Sequence, residues 1–134
     1  MRKVACLYFP FITCINMDHQ VNRWSIPEWL EREIRQRDRK CVYCRTPMFE
    51  SSPPGGSRKF VATWEHIIND ARIITRENIA RCCASCNSSK GTKELSVWIE
   101  STYCTRRGIS RETVADIVRQ AFKRESKNGP RGSD

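Results

Sequence analysis

Four of the eight cysteines form two closely spaced pairs. Cys41 and Cys44 make one CxxC pair, and Cys83 and Cys86 make the other. In such a turn both thiolates can point at one tetrahedral ion, with Zn–S distances of about 2.3 Å. Residues 45–82 separate the pairs, a longer stretch than in an ordinary zinc ribbon, and a catalytic insert could occupy it. The spacing therefore predicts a structural zinc site made of these four thiolates.

The other four cysteines are weaker candidates for zinc ligands. Cys82 could replace its neighbour in the second pair, although only that neighbour gives the compact CxxC spacing. Cys6, Cys14 and Cys104 have no partner at a ligand spacing. These three side chains are therefore expected to be small buried hydrophobes rather than ligands.

The cellular compartment decides between a zinc site and a disulfide framework, because eight cysteines would suit either. The apolar run from Val4 to Ile15 follows two basic residues, as in a signal peptide. Pro10 interrupts that run, and no small-residue cleavage site follows it. No stretch reaches the about 18 apolar residues of a membrane span. We therefore expect a cytoplasmic protein with reduced thiols.

Four polar residues between and beside the cysteine pairs have the types that phosphodiester hydrolysis needs. His66 can act as a base near neutral pH and activate water. The reaction also needs a divalent ion to neutralise charge on the phosphate. Glu65 and Asn87 offer a carboxylate and an amide carbonyl, the hard oxygen ligands that suit Mg²⁺ or Mn²⁺. Asn78 could hold the imidazole in the required tautomer.

Each of these residues also has a purely structural interpretation. A single histidine on a strand is more often a satisfied core or surface side chain than a base. Asn87 could simply cap the helix that follows it. The four residues together, in this order and beside two CxxC pairs, favour a catalytic site.

The predicted elements that position these side chains are helices around a small β element, an α+β arrangement. Ser25 to Glu28 is typical of a capping box with Pro27 in the first turn. A polar Ser/Pro/Gly segment over residues 51–57 predicts an exposed loop. The predicted face of the first helix consists of four apolar residues at helical spacing: Ile26, Trp29, Leu30 and Ile34.

The first predicted strand runs from Phe60 to Ile68, because β-branched and aromatic residues dominate it, and a second short strand is predicted around Asn78 to Arg81. Helical pattern returns after Asn87. The clearest predicted helix is the last, which Ser110 would cap. Its apolar side contains Val114, Ile117, Val118, Ala121 and Phe122, with a hydrophobic staple between Ile109 and Val114.

The predicted organisation is an extension over residues 1–24, a main domain over 25–125 and a tail over 126–134. The extension has strand-like apolar character and no motif that suggests a role. The tail is polar and rich in Gly and Pro, which predicts a frayed end.

Between about Cys41 and Leu95 the chain resembles the HNH endonuclease family, in its zinc-knuckle branch. The resemblance implies a ββα-metal (His-Me finger) core, in which a hairpin carries the catalytic histidine and the next helix adds a metal ligand. A zinc site of four cysteines would cross-link this core, and N- and C-terminal helices would flank it. The matching segments are Cys41-Val42-Tyr43-Cys44, Trp64-Glu65-His66-Ile67-Ile68, Asn78-Ile79-Ala80 and Cys83-Ala84-Ser85-Cys86-Asn87-Ser88-Ser89-Lys90-Gly91.

The resemblance also implies a role for each polar residue. Glu65 would be the metal-binding acid and His66 the general base. Asn78 would orient the histidine, and Asn87 would be the final metal ligand. Lys90, one turn into the helix, would contact a DNA phosphate. The implied cofactors are structural Zn²⁺ and catalytic Mg²⁺ or Mn²⁺, and the implied substrate is double-stranded DNA.

The chain departs from the family pattern at two places. Glu65 stands where aspartate is more common, so its carboxylate reaches further. Residues 69–72 replace the usual proline and Gly-Gly turn, which makes Asp70 a further candidate ligand.

The formal net charge of +9 favours a polyanionic partner, although a basic surface can also be simply solvated. Four thiolates on one Zn²⁺ would carry about −2 and leave roughly +7. An alternative function is a non-catalytic zinc module that binds nucleic acid or protein and keeps a vestigial site. A nuclease acting on RNA is a third possibility, because the metal chemistry does not distinguish the sugar. The joint presence of the four polar residues favours an enzyme over the binding module, and the resemblance implies DNA as its substrate.

Overall fold

A computed structural model describes the backbone of residues 3–8 and 12–17 and the whole of residues 20–127. Strands β1 (Lys3–Tyr8) and β2 (Ile12–Met17) pair in antiparallel fashion, with Lys3 opposite Met17. The strand-like character predicted for the N-terminal segment therefore corresponds to a two-stranded ribbon. The predicted burial of Cys6 and Cys14 and most of the predicted tail lie outside the described residues.

The rest of the described chain alternates helices with one hairpin, in a mixed α+β arrangement as predicted. None of the described helices combines the length and apolar character that crossing a bilayer would require. The elements in chain order are α1 (Glu28–Arg37), β3 (Ala62–His66), β4 (Ile79–Cys83), α2 (Ala84–Lys90), α3 (Leu95–Trp98), α4 (Thr102–Arg107) and α5 (Asp116–Lys127).

Three of the four apolar residues predicted for the first helix pack against the hairpin, one just before α1 and two within it. Ile26, Leu30 and Ile34 are fully buried and cluster with Ile79 of β4. Trp29 is 47% exposed, so its predicted place on this face is wrong. Successive helical residues are turned by about 100°, which directs Trp29 away from the i, i+4 row of its neighbours.

The start of α1 also differs from the prediction. Pro27 occupies the N-cap position, and no side-chain hydrogen bond caps the helix. Ser25 adopts a left-handed backbone with φ of 64° two residues earlier, so the predicted capping box does not form. The turn is held instead by Asn22, whose Oδ1 accepts hydrogen bonds from the backbone N–H groups of Trp24 and Ile26.

The β3–β4 hairpin is antiparallel, and α2 begins directly where β4 ends. The register places Ala62 opposite Cys83 and His66 opposite Ile79. Both strands lie where they were predicted, although β3 is shorter and β4 continues to Cys83. Because strand side chains alternate, Glu65 and His66 point to opposite faces of the hairpin. The face that carries Glu65 lies against α2.

The C-terminal helices close the main core. Val118, Ala121 and Phe122 of α5 are buried as predicted. The helix begins at Asp116 rather than at Ser110, because Ala115 donates a backbone hydrogen bond to the carbonyl of Val42. Helix α5 then continues through Lys127, two residues into the predicted tail.

Candidate metal centre and polar site

The two cysteine pairs meet in one buried cluster. The Sγ atoms of Cys41, Cys44, Cys83 and Cys86 all lie within 4.8 Å of one another. The Sγ atoms of Cys44 and Cys83 are 3.8 Å apart, about the separation that a tetrahedron of 2.3 Å Zn–S bonds gives. Four thiolate ligands in this arrangement could bind a metal such as zinc.

Both cysteine pairs adopt the same local turn. Cys44 donates its backbone N–H to Sγ of Cys41, and Cys86 donates its own to Sγ of Cys83. Cys83 is at once the last residue of β4 and the N-cap of α2. Hydrogen bonding among the thiols, with Cys41 the largest contributor, lowers the pKa of Cys83 to about 6. The same hydrogen bonds raise the pKa of Cys41 and of Cys86, so the four thiols titrate together as one group.

Cys82 and Cys104 lie outside the cluster. Cys82 is fully buried, and its Sγ lies 3.6 Å from Oγ1 of Thr63. Burial raises the pKa of Cys82 well above its ordinary value, which keeps this thiol neutral. Cys104 is also fully buried, as predicted for a small hydrophobe. The four-cysteine group therefore contains Cys83 and not Cys82.

Helix α4, which the sequence analysis did not predict, supplies donors to the cysteine cluster. The hydroxyl of Tyr103 donates to Sγ of Cys86 at 3.4 Å. The guanidinium of Arg107 lies 3.9 Å from the same sulfur and hydrogen bonds to Tyr103. A tetrathiolate carries excess negative charge, which this cation offsets. The sequence contained one signal for this pair of donors: an aromatic and a basic residue follow Ser101 at i, i+4 spacing.

Glu65 lies in a buried polar cluster between β3 and α2. Its side chain is 7% exposed, and its Oε2 accepts a hydrogen bond of 2.6 Å from the Tyr43 hydroxyl. Nζ of Lys90 lies 3.1 Å from the same oxygen and 3.4 Å from the carbonyl oxygen of His66. Glu65 is therefore the counter-ion of a buried lysine in this structure.

The role predicted for Lys90 as a phosphate contact does not agree with its position. Lys90 is fully buried, although it is the last residue of α2. Helix α2 packs along the hairpin, so a residue one turn after Asn87 points to the same interior face. The ammonium of Lys90 therefore meets Glu65 instead of the solvent side where a phosphate would bind.

His66 ends β3 on the opposite face from Glu65. The residue is partly exposed, yet its Nε2 is buried and has no hydrogen-bond partner among the described residues. Desolvation lowers the pKa of His66 from 6.5; the charge of Glu65 opposes that shift, and the charge of Lys90 adds to it. The imidazole is therefore neutral near pH 7 and has a nitrogen available to accept a proton.

Asn78 holds the loop after His66 rather than the imidazole ring. Its Oδ1 accepts a hydrogen bond of 2.7 Å from the N–H of Ile68, and its Nδ2 donates to the carbonyls of Ile68 and Ile73. The register explains this position, because Ile79 lies opposite His66 and Asn78 points to the other face. The structure therefore does not show the predicted contact between Asn78 and the histidine.

We expect Asn78→Ala to lower the free energy of unfolding by about 1–3 kcal/mol, because the backbone groups of the loop would lose their partners. Asn78 is only 1% exposed, so water could not replace the lost bonds. Urea denaturation of the zinc-loaded protein would measure the change. Asn69→Ala is the matched control, since its amide makes a single exposed bond to Thr92 and should cost at most about 0.5 kcal/mol. Equal losses in both variants would contradict the loop-holding role.

Asn87 and Asp70 also have partners within the fold. Nδ2 of Asn87 donates to Oγ1 of Thr63 at 2.8 Å and to the carbonyl of Trp64 at 3.1 Å. Asp70 forms an ion pair of 3.0 Å with Arg72. Across residues 20–127, no group of three or more His, Cys, Asp or Glu side chains other than the cysteine cluster is close enough to share an ion.

Part of the chain is similar in sequence to a much larger protein. It is 27% identical over 77 residues to the CRISPR-associated endonuclease Cas9 of Corynebacterium diphtheriae. The match covers 55% of this chain but 6% of the length of that protein. No family model matches the chain, and a search of the solved structures gave no significant match. A weak and partial similarity therefore connects this chain with an endonuclease.

Proposed function

We propose that this chain is an HNH-type endonuclease that hydrolyses phosphodiester bonds in double-stranded DNA, with His66 as the general base. The observation that carries the proposal is the imidazole at the end of β3, whose Nε2 is buried and has no hydrogen-bond partner among the described residues. A buried polar atom without a partner marks a place where a bound water or ligand atom could sit, and the neutral imidazole could accept a proton from it. The partial similarity to an endonuclease and the net charge of +9 agree with this chemistry and with a polyanionic substrate.

The order of elements supports the proposed family. Strands β3 and β4 form a hairpin, and α2 follows β4 without a connecting loop. This order corresponds to the ββα motif that the sequence resemblance implies. His66 is the last residue of β3. One cysteine pair precedes the hairpin and the other lies where β4 meets α2, and the two pairs come together in one cluster.

In the proposed reaction, a water molecule attacks the phosphorus atom and loses a proton to His66. The new P–O bond forms as the bond to the leaving sugar oxygen breaks, and that oxygen takes a proton from solvent. The base must be neutral before the attack, which the lowered pKa of His66 provides. Asn78 supports the base indirectly by fixing the loop that follows it.

The sequence predicts that Glu65 and Asn87 also hold a catalytic Mg²⁺ or Mn²⁺. The carboxylate of Glu65 does not fit a divalent ion, because its Oε2 already contacts the Tyr43 hydroxyl and the Lys90 ammonium, and the ammonium offsets its charge. The amide nitrogen of Asn87 is bonded to β3, which leaves the neutral Oδ1 as the atom that an ion would use. The role proposed for His66 as proton acceptor involves neither residue.

A non-catalytic zinc module is the second candidate function. The buried Glu65–Lys90 pair favours it, since a former metal-binding carboxylate with a permanent counter-ion is what a vestigial site would contain. Incubation of zinc-loaded protein with supercoiled plasmid separates the two functions. A chain that leaves the plasmid uncut, with and without every divalent ion tried, would be the binding module.

The pH dependence of plasmid cleavage tests the base directly. We expect the rate to rise with pH as His66 loses its proton, because only the neutral imidazole can accept another. Burial lowers its pKa from 6.5, so the midpoint should lie below 6.5 and the rate should be level near neutral pH. Initial nicking rates between pH 5 and 8 (about the range in which histidine titrates) would measure the profile. A rate that falls as the pH rises would contradict this role.

A further inference from the structure

The cluster of Tyr43, Glu65 and Lys90 is closed to solvent. Tyr43 is fully buried, and the side chains of Glu65 and Lys90 are 7% and 1% exposed. Both the hydroxyl and the ammonium meet the same carboxylate oxygen. The carboxylate therefore has two built-in donors, one of which is a cation.

The charges in this cluster oppose the binding of a second cation. Mg²⁺ and Mn²⁺ bind protein sites through the negative charge of one or two carboxylates. Here the single negative charge of Glu65 is offset by the ammonium 3.1 Å away. A divalent ion on this carboxylate would lie within a few ångströms of the Lys90 ammonium, and repulsion at that distance is strong in a buried site.

Within residues 20–127, Glu65 belongs to no group of three or more His, Cys, Asp or Glu side chains close enough to share an ion. The carboxylate of Asp70 is ion-paired with Arg72. Asn87 of α2 is neutral, so its amide would add no negative charge. Lys90 is also anchored, because its Nζ reaches the carbonyl of His66. Displacing this ammonium would break contacts to both Glu65 and the end of β3.

We propose that the ammonium of Lys90 takes the place of the divalent cation in this chain. Glu65 serves as the counter-ion of Lys90, and the space between β3 and α2 has no divalent metal site. Lys90 thereby becomes a positioning residue that fixes the end of β3, where His66 lies. The proposal goes beyond the proposed function of the same hairpin, and metal binding can be measured without any substrate.

The test is a titration of zinc-loaded protein with Mn²⁺, followed by the loss of the electron paramagnetic resonance signal of free Mn²⁺. We expect the wild type and Glu65→Gln to bind Mn²⁺ equally, because the wild type should have no Mn²⁺ site at this carboxylate. Lys90→Met deletes the cation and leaves the carboxylate, so it should bind Mn²⁺ at least about tenfold more tightly than the wild type. The double variant Lys90→Met/Glu65→Gln is the matched control and should lose that gain.

Zinc content and circular dichroism would first establish that each variant is folded. If Lys90→Met does not fold, the wild type and Glu65→Gln alone decide, because equal Mn²⁺ binding by both supports the proposal. One equivalent of Mn²⁺ that binds the wild type and is lost in Glu65→Gln would overturn it. A folded Lys90→Met without the gain would also overturn it. Absence of plasmid cleavage would instead overturn the proposed function and leave these binding results unaffected.

Discussion

Cys83→Ser is expected to abolish zinc binding and cooperative folding, whereas Cys82→Ser should keep both. The two cysteines are adjacent and fully buried, but only the Sγ of Cys83 belongs to the four-sulfur cluster. A structural zinc site contributes an apparent free energy of about 10–16 kcal/mol. Small domains are stable by only about 5–15 kcal/mol in total. Loss of one ligand from the cluster should therefore exceed what the rest of the fold can supply.

Cys82→Ser is a close control, because it makes the same change of sulfur to oxygen one residue away. The new hydroxyl can keep the contact with Thr63, so we expect a cost of at most about 1–2 kcal/mol. Elemental analysis would give the zinc content per chain, and thermal unfolding by circular dichroism would report cooperativity. A Cys83→Ser protein that retains one zinc per chain would contradict the assigned ligand set, as would a well-folded wild type without zinc.

His66→Ala is expected to reduce plasmid cleavage by about 10²–10⁴, the usual contribution of a general base. Zinc content should remain at the wild-type value, because the imidazole is not part of the cysteine cluster. Stability should change little, since His66 is only partly buried and its Nε2 has no hydrogen-bond partner among the described residues. The variant therefore tests the catalytic role of His66 in a protein that remains folded.

Initial rates of supercoiled plasmid nicking would measure this effect. Asn69→Ala is a suitable control, because it lies three residues further along the same loop and makes only an exposed bond. It should cleave at about the wild-type rate, and the rise in rate with pH should be present in it and absent in His66→Ala. A His66→Ala protein that nicks plasmid as fast as the control would exclude His66 as the base.

The parts of the structure that could be predicted from sequence are those set by local geometry. A CxxC turn directs both sulfurs to one side within four residues, so the spacing of Cys41, Cys44, Cys83 and Cys86 sufficed to predict the cluster. The first hairpin strand was recognisable from the β-branched and aromatic residues between Phe60 and Ile68. The burial of Val118 and its neighbours in α5 followed from helical periodicity.

The parts that could not be predicted depend on register and packing between distant segments. Glu65 meets Lys90 only because α2 folds back along β3, and residue types alone do not determine how this helix packs on the strand. Asn78 turns away from the imidazole because Ile79, one residue later, is the partner of His66 across the hairpin. The capping box at Ser25 failed for a local reason, since Asn22 holds the turn in another conformation.

The position of Cys83 at the junction of β4 and α2 has a consequence for the order of folding during synthesis. His66 leaves the ribosome before either cysteine of the second pair. Until that pair emerges, the first pair offers only two thiolates, and no four-ligand site can close. Closing it joins chain ends separated by residues 45–82 and at the same time fixes the start of α2 against the hairpin. The cysteine cluster can therefore be complete only after the second pair has emerged, and so only after the proposed base.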